Sequence, residues 1–233
     1  YDALGRLAYE KRLTGGVVIE EKKREYDATG NLIKLTDGRG ATTFSYDSDD
    51  RLLSSSGPDG LTQYHYNGRG ALTKVETAKG TSTSYSYNAL DRLVSVLRSD
   101  GIEVKYKYDV RGRLVARDDG SGFRRCLPLP GSPRGYDDCA ASYAESGPEK
   151  AEARVFGPHG ALSLHESRSA RYLSPVLLGS IALVTDDAGA QLASFDYNAW
   201  GERTATVGNS IEYGFTGERQ DPLTDLVFLR SRF

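Results

Sequence analysis

Methionine is absent from this chain of 233 residues, cysteine occurs twice and tryptophan once. Long apolar runs are missing too: the longest, Val176 to Val184, is nine residues and contains Gly179 and Ser180. It is too short to cross a bilayer as a helix. No block of five like charges occurs, which excludes a charged tail. The formal charge is -2 and the pI is near 6.0. That balance offers no basic surface broad enough to make nucleic acid the default partner. The chain opens Tyr1-Asp2 without methionine or an apolar leader. It reads as a piece excised from something longer, so the missing leader says nothing about secretion.

What is present leans towards β structure. The length suits one or two domains and can bury a core. Glycine is 26 of 233 residues, above the usual share, and there are 15 tyrosines. Glycine supplies turns and tyrosine favours strands.

The chain repeats itself. Tyr1-Asp2-Ala3-Leu4-Gly5-Arg6-Leu7 returns with starts at Tyr26, Tyr46, Tyr66, Tyr87 and Tyr108, in steps of 25, 20, 20, 21 and 21 residues. A looser copy runs from Tyr197 through Trp200 and Gly201 to Arg203. Five copies carry another aromatic two residues before the tyrosine (Phe44, Tyr64, Tyr85, Tyr106, Phe195), which places both rings on one strand face. The Asp or Asn after the tyrosine can bond its own backbone and start a turn. Gly5, Gly30, Gly70, Gly112 and Gly201 then supply a positive φ, with Asp50 and Asp91 tolerating it in two copies. Leu72, Leu93 and Leu114 open the returning strand, and they are the expected filler between rings of successive repeats. Asp-Gly pairs at Asp37, Asp59 and Asp100 mark the second turn. Each repeat is thus a β-hairpin, and the whole is predicted to be an all-β antiparallel ribbon. Only Asp138 to Glu145 reads as a short helix.

Chemistry is sparse. No nucleophile elbow, phosphate-binding glycine loop or His-Glu-x-x-His occurs. Cys126 and Cys139 flank a proline-rich loop, and two readings stay open: a disulfide in an exported protein, or two inert thiols. With His159 and His165 they lack the close cysteine pair of a zinc site. His65 lies between Tyr64 and Tyr66 and is expected to point away from the rings. The pairs Asp118-Asp119, Asp137-Asp138 and Asp186-Asp187 fit turns better than calcium loops. Trp200 and the tyrosines could stack on sugars, although their strict period argues for holding strands together. No catalytic residue, cofactor or metal is expected.

The Y-D-x-x-G-R-L heptads resemble the YD repeats of the RHS family, which includes polymorphic toxins, the C component of insecticidal toxin complexes and the teneurins. Leu178-Gly179-Ser180 through Val184-Thr185-Asp186, the stretch Phe195 to Arg203, and Phe215-Thr216-Gly217-Glu218 with Asp221 to Phe233 are similar to the family's core segment. Asp225 and Val227 stand where the family has Gly and Tyr. The resemblance implies YD repeats over 1–119, an irregular insertion over 120–153 and a truncated core over 154–233. It also implies a hairpin ribbon forming an arc of a hollow shell, with no enzymatic activity of its own. Family members continue into an aspartyl self-cleavage segment and a toxic domain, and the sequence stops short of both. The expected role is to enclose or present a cargo domain of a secreted or cell-surface parent. An adhesive module that binds glycans or a surface protein is the alternative.

Overall fold

The computed structural model is nearly all β, and two 3-10 turns at Leu177–Gly179 and Phe215–Gly217 are the helical elements among the described residues. The structure describes residues 1–233 except 130, 132–137, 146, 159, 167, 199–200, 209–210 and 230–233. The chain forms two compact units: Tyr1–Tyr85 with Leu97–Gly101, and Ser86–Val96 with Ile102–Phe233.

In the first unit β1 (Tyr9–Thr14), β2 (Val17–Tyr26), β3 (Leu32–Asp37), β4 (Gly40–Tyr46), β5 (Leu52–Gly57), β6 (Gly60–Tyr66), β7 (Leu72–Thr77) and the start of β8 (Ser82–Tyr87) pair in chain order, all antiparallel. Two turns alternate. The tight one joins Asp37 to its partner Gly40, and Gly57 to Gly60, through two-residue loops. The wider one is the heptad itself. Gly30, Gly70 and Gly112 (the last in the second unit) stand at φ 104, 82 and 86°, and Asp50 and Asp91 take the same left-handed conformation. Just before each heptad tyrosine the register slips by one residue. Tyr26 pairs with Leu32 while Glu25 pairs with Lys34, and likewise Tyr46 with Leu52 and Tyr66 with Leu72. Ile33, Leu53 and Thr73 are therefore β-bulge residues, which sharpen the local twist.

The strands of this unit are one-sided. Phe44, Tyr46, Tyr64 and Tyr66 are half-buried, whereas Ser45 and His65 on the opposite face are exposed. His65 bonds Glu76 across the strands at 2.9 Å. Among the described residues of the unit only Arg24 is buried.

In the second unit β10 (Glu103–Tyr108), β11 (Leu114–Asp118), β12 (Arg124–Leu129), β13 (Asp138–Ala144), β14 (Gly147–Gly157), β15 (Gly160–Glu166), β16 (Ser169–Pro175), β17 (Ile181–Thr185), β18 (Gln191–Tyr197) and β19 (Arg203–Gly208) again pair in order. β20 (Arg219–Gln220) and β21 (Val227–Phe228) form a separate small pair. β9 (Leu93–Arg98), like β8, is divided between the units. Here there is a true core, with Phe156, Leu164, Leu173, Ile181, Val184, Phe195, Ile211 and Tyr213 clustered and buried.

One expectation is corrected. Asp138 to Glu145 is no helix: through Ala144 it is β13, with β12 on one edge and β14 on the other. Ladder hydrogen bonds on both edges outweigh the helical preference of Ala140, Ala141 and Ala144. Among its described residues, the 120–153 stretch also carries regular strands, β12, β13 and the first part of β14.

Candidate functional site

Each letter of the heptad has a task, and together they join one repeat to the next. The aspartate closes the turn. Asp47 Oδ1 accepts the N–H groups of Asp49 and Arg51 at 2.9 Å each, and Oδ2 accepts Arg51 Nε at 2.6 Å. Asp2 with Arg6, and Asp109 with Arg113, repeat the arrangement. These hydrogen bonds hold the carboxyls of Asp2, Asp47 and Asp109 below the usual carboxylate range, against the opposing effect of desolvation.

The tyrosine reaches backwards. Tyr26, Tyr46, Tyr66 and Tyr108 donate their hydroxyls to the carbonyls of Leu7, Leu32, Leu52 and Leu93 in the preceding repeat, at 2.8, 2.9, 2.9 and 2.8 Å. In the looser copy Tyr197 donates to the Ile181 carbonyl at 2.8 Å. The need follows from the bulge. Backbone pairing of β3 with β4 runs only to Lys34↔Thr43, and that of β5 with β6 only to Ser54↔Gln63. The leucine carbonyl beyond that point needs a donor, and the phenol O–H supplies one. Burial pushes the hydroxyls of Tyr46, Tyr66, Tyr108 and Tyr197 above the ordinary phenol range, so they stay protonated donors.

The arginine reaches forwards. The guanidiniums of Arg6, Arg51 and Arg92 lie over the rings of Tyr26, Tyr66 and Tyr108 in the following repeat, 4.7, 5.6 and 5.8 Å from the centroids. Arg6 Nη1 also donates to the Asp27 carbonyl at 3.0 Å. The same arginine passes over the next turn's glycine: a Cβ on Gly112 would fall 2.6 Å from the Arg92 guanidinium. Glycine is thus favoured there by its positive φ, and any side chain would also have to displace the Arg92 guanidinium. In the second copy Asn31 replaces arginine and bonds Asp27 at 3.1 Å and Asp50 of the next repeat at 2.6 Å. Spacing located Tyr87 and Gly201 in the same pattern; both fall in the second unit, with Gly201 at φ 83° against the Phe215 ring.

Rings and leucines do share one face. Tyr66 and Tyr108 are direct cross-strand partners of Leu72 and Leu114. Tyr85 is half-buried and Tyr106 only 3% exposed.

Two ion-pair centres of the second unit escaped sequence reasoning, because their members are distant in the chain. Asp221 accepts Arg117 through both carboxylate oxygens at 2.6 and 3.1 Å, the Tyr106 hydroxyl at 2.9 Å, and the N–H groups of Leu223 and Thr224. Burial drives the Asp221 carboxyl up, but Arg117 outweighs it and holds it low. Glu212 accepts Arg154 Nη2 and Arg219 Nε, each at 2.6 Å. Its burial is likewise overcome by Arg219 and Arg154, which keep it at about 2. Glu152 moves the other way: burial raises it despite Arg154, which lies 2.7 Å away.

Cys126 and Cys139 are joined by a disulfide with Cα atoms 5.6 Å apart. Asp118 and Asp186 accept backbone N–H groups of their own turns. No cluster of three or more metal-ligating side chains occurs among the described residues. His159, Trp200, Asp137 and 230–233 lie outside the described residues. The arrangement holds strands, and its recurring contacts are structural.

A search of curated proteins found no match. Among solved structures, the chain is similar to the crystal structure of TcdB2-TccC3-Cdc42 (15% identity, TM-score 0.48, covering 92% of this chain and 15% of that one). It is also similar to the Photorhabdus luminescens Tc holotoxin pore carrying a TccC3 mutation (15% identity, TM-score 0.46, covering 92% and 15%). The chain therefore spans about 15% of the length of those chains. The profile of the teneurin YD-shell family matches residues 1–233, and the chain belongs to that family.

Proposed function

We propose that this chain is a stretch of wall in a secreted or cell-surface YD-repeat shell, and that the wall encloses or presents a cargo domain of its parent polypeptide. The observation that carries this reading is the tyrosine clamp, in which each hydroxyl is bonded to the leucine carbonyl of the repeat before it. Such coupling suits a thin wall that grows by nearest-neighbour contacts, as in other repeat arrays. Membership of a shell family supports a structural role rather than a catalytic one. No helix among the described residues is long and apolar enough to cross a membrane.

The test is limited proteolysis of the parent polypeptide. Residues outside the repeats should resist cleavage, and the double variant Tyr46→Phe/Tyr66→Phe should speed their digestion. Digestion of those residues at the rate they show when expressed alone would count against enclosure. The adhesive reading draws on the half-buried rings of the first unit, which keep some surface for contact. A glycan array separates the two, because a wall with no binding role shows no sugar preference.

A further inference from the structure

The second unit contains a concavity of about 760 Å³ between β11, β12, β13, β14, the adjoining ends of β15 and β16, and the 212–222 segment. That volume falls in the range of small-molecule sites. Apolar walls come from Leu114, Ala116, Ala151 and Pro222, and six arginines face three glutamates around them. Most of these charges are already used. Arg117 is taken by Asp221 and Asp119, Arg154 and Arg219 by Glu212, and Arg125 by Glu145, while Arg124 donates to the Ser142 hydroxyl at 3.3 Å. Glu152 and Glu166 share Arg171. Two features remain. Arg168 makes no ion pair with any described residue. Arg154, whose side chain is 2% exposed, keeps a buried Nε–H with no acceptor.

We infer that this concavity binds a monocarboxylate carried on a short apolar body, with Arg168 as the charge partner and the wall of Leu114, Ala116, Ala151 and Pro222 receiving the body. The Arg168 cation matches one negative charge, and a guanidinium pairs a carboxylate through two parallel N–H donors. A phosphate dianion would leave a charge unbalanced against Glu152 and Glu166 at the rim. The carboxylate has two sources, a free small acid or an acidic side chain within a peptide. This inference is independent of the shell reading and stands or falls separately.

Titration calorimetry on the whole chain tests it with octanoate, octanol, inorganic phosphate and the N-acetylated, C-amidated peptide Leu-Glu-Leu. Octanoate or the peptide should saturate one site, and whichever of them binds identifies the source. Octanol and phosphate should bind at least about tenfold more weakly, since only a charge-assisted pair is of that strength. Arg168→Gln should weaken the bound carboxylate about tenfold, and Arg168→Lys should recover part of the loss. Arg168 is exposed, so neither variant threatens the fold. Saturation by neither carboxylate, equal binding of octanol, or unchanged affinity in Arg168→Gln overturns the site.

Discussion

The two units build similar meanders by different means. The first has a single buried residue among those described, Arg24, and no buried apolar side chain. Its strands are held by ladder hydrogen bonds, bulges and the heptad clamp. The second adds a conventional core of ten buried residues and two ion-pair centres linking residues 58 to 115 positions apart. A sheet covered on neither face ordinarily lacks the apolar burial that folding needs. The first unit shows how repetition compensates: a hydroxyl-to-carbonyl bond and a bonded turn recur from repeat to repeat, joined by a stacked guanidinium at Arg6 and Arg51. Each is small, and they add along the ribbon. The second unit concentrates its stability in a few residues, so single changes should act very differently in the two.

The largest effect is expected from Glu212→Gln. Glu212 neutralises Arg154, which is almost wholly buried, and Arg219 beside it. Removing one partner of such a group costs about 3–5 kcal/mol. The loss should appear in urea denaturation and, by hydrogen exchange, be confined to β14–β19 and the 212–221 segment. The acid limb follows from the sign of the shift. Glu212 is held at about 2 against an ordinary 4.5, so its contribution is complete above about pH 4.5 and disappears as the pH falls towards 2. Asp221 is lowered too and acts in the same direction. Glu152 is raised, so protonating it favours the folded state as the pH drops towards 4.5. Glu212→Gln should therefore flatten the limb below pH 4.5. Equal loss of protection in β3–β7 would end the idea of two separately stabilised units.

Gly112→Ala and Gly30→Ala come next. Both residues have positive φ, which costs a side chain about 1–2 kcal/mol. An added Cβ at Gly30 meets nothing within 4 Å, whereas at Gly112 it meets Arg92 at 2.6 Å. Gly112→Ala should thus be the more damaging in thermal melts. If the two are equal, the guanidinium yields freely and φ alone sets the cost.

Much of this was legible beforehand, and the reason is periodicity. Tyrosine, aspartate and glycine at fixed offsets disclose turn, strand and face together, so the hairpins, the left-handed glycines and the pairing of Tyr66 with Leu72 could be read directly. The hydroxyl clamp could not. It depends on the bulge at Ile33 and Leu53, and one extra residue leaves no mark in an alternating pattern. β13 reads as helix because its alanines favour helix, and tertiary pairing on both edges overrides that local preference. Asp221 with Arg117, and Glu212 with Arg154, were invisible because nothing local links residues 104 and 58 positions apart. Repeats announce themselves, whereas long-range ion pairs do not.

Tyr66→Phe tests the clamp in the unit that has little else. The ring, its packing and its strand pairing survive, and only the bond to the Leu52 carbonyl is lost. One neutral hydrogen bond contributes about 1 kcal/mol, with more at stake if the carbonyl stays dry. Hydrogen exchange should rise in β5 and β6 first. Tyr197→Phe in the second unit removes the equivalent bond to Ile181, beside a fully buried core. There the melting temperature should fall less. A larger drop for Tyr197→Phe would reverse the contrast between clamp and core.

The smallest effect, and the sharpest, concerns the forward-reaching arginine. Arg6 serves two repeats at once: it bonds Asp2 of its own turn at 2.7 Å, and it lies 4.7 Å over the Tyr26 ring of the next. A loss on Arg6→Ala cannot say which contact mattered. A double-mutant cycle with Tyr26→Leu can, because the Asp2 contact is present in both halves of the cycle and cancels. A guanidinium stacked on a ring at a partly exposed site should give a coupling of about 0.5–1 kcal/mol. Salt provides the second criterion. The half-buried Asp2 pair is partly screened as ionic strength rises, whereas coupling to the ring, which involves no second charge, should change little. A coupling near zero would leave the bond from Arg6 Nη1 to the Asp27 carbonyl as the arginine's tie to the next repeat, and the stacked ring would contribute nothing to it.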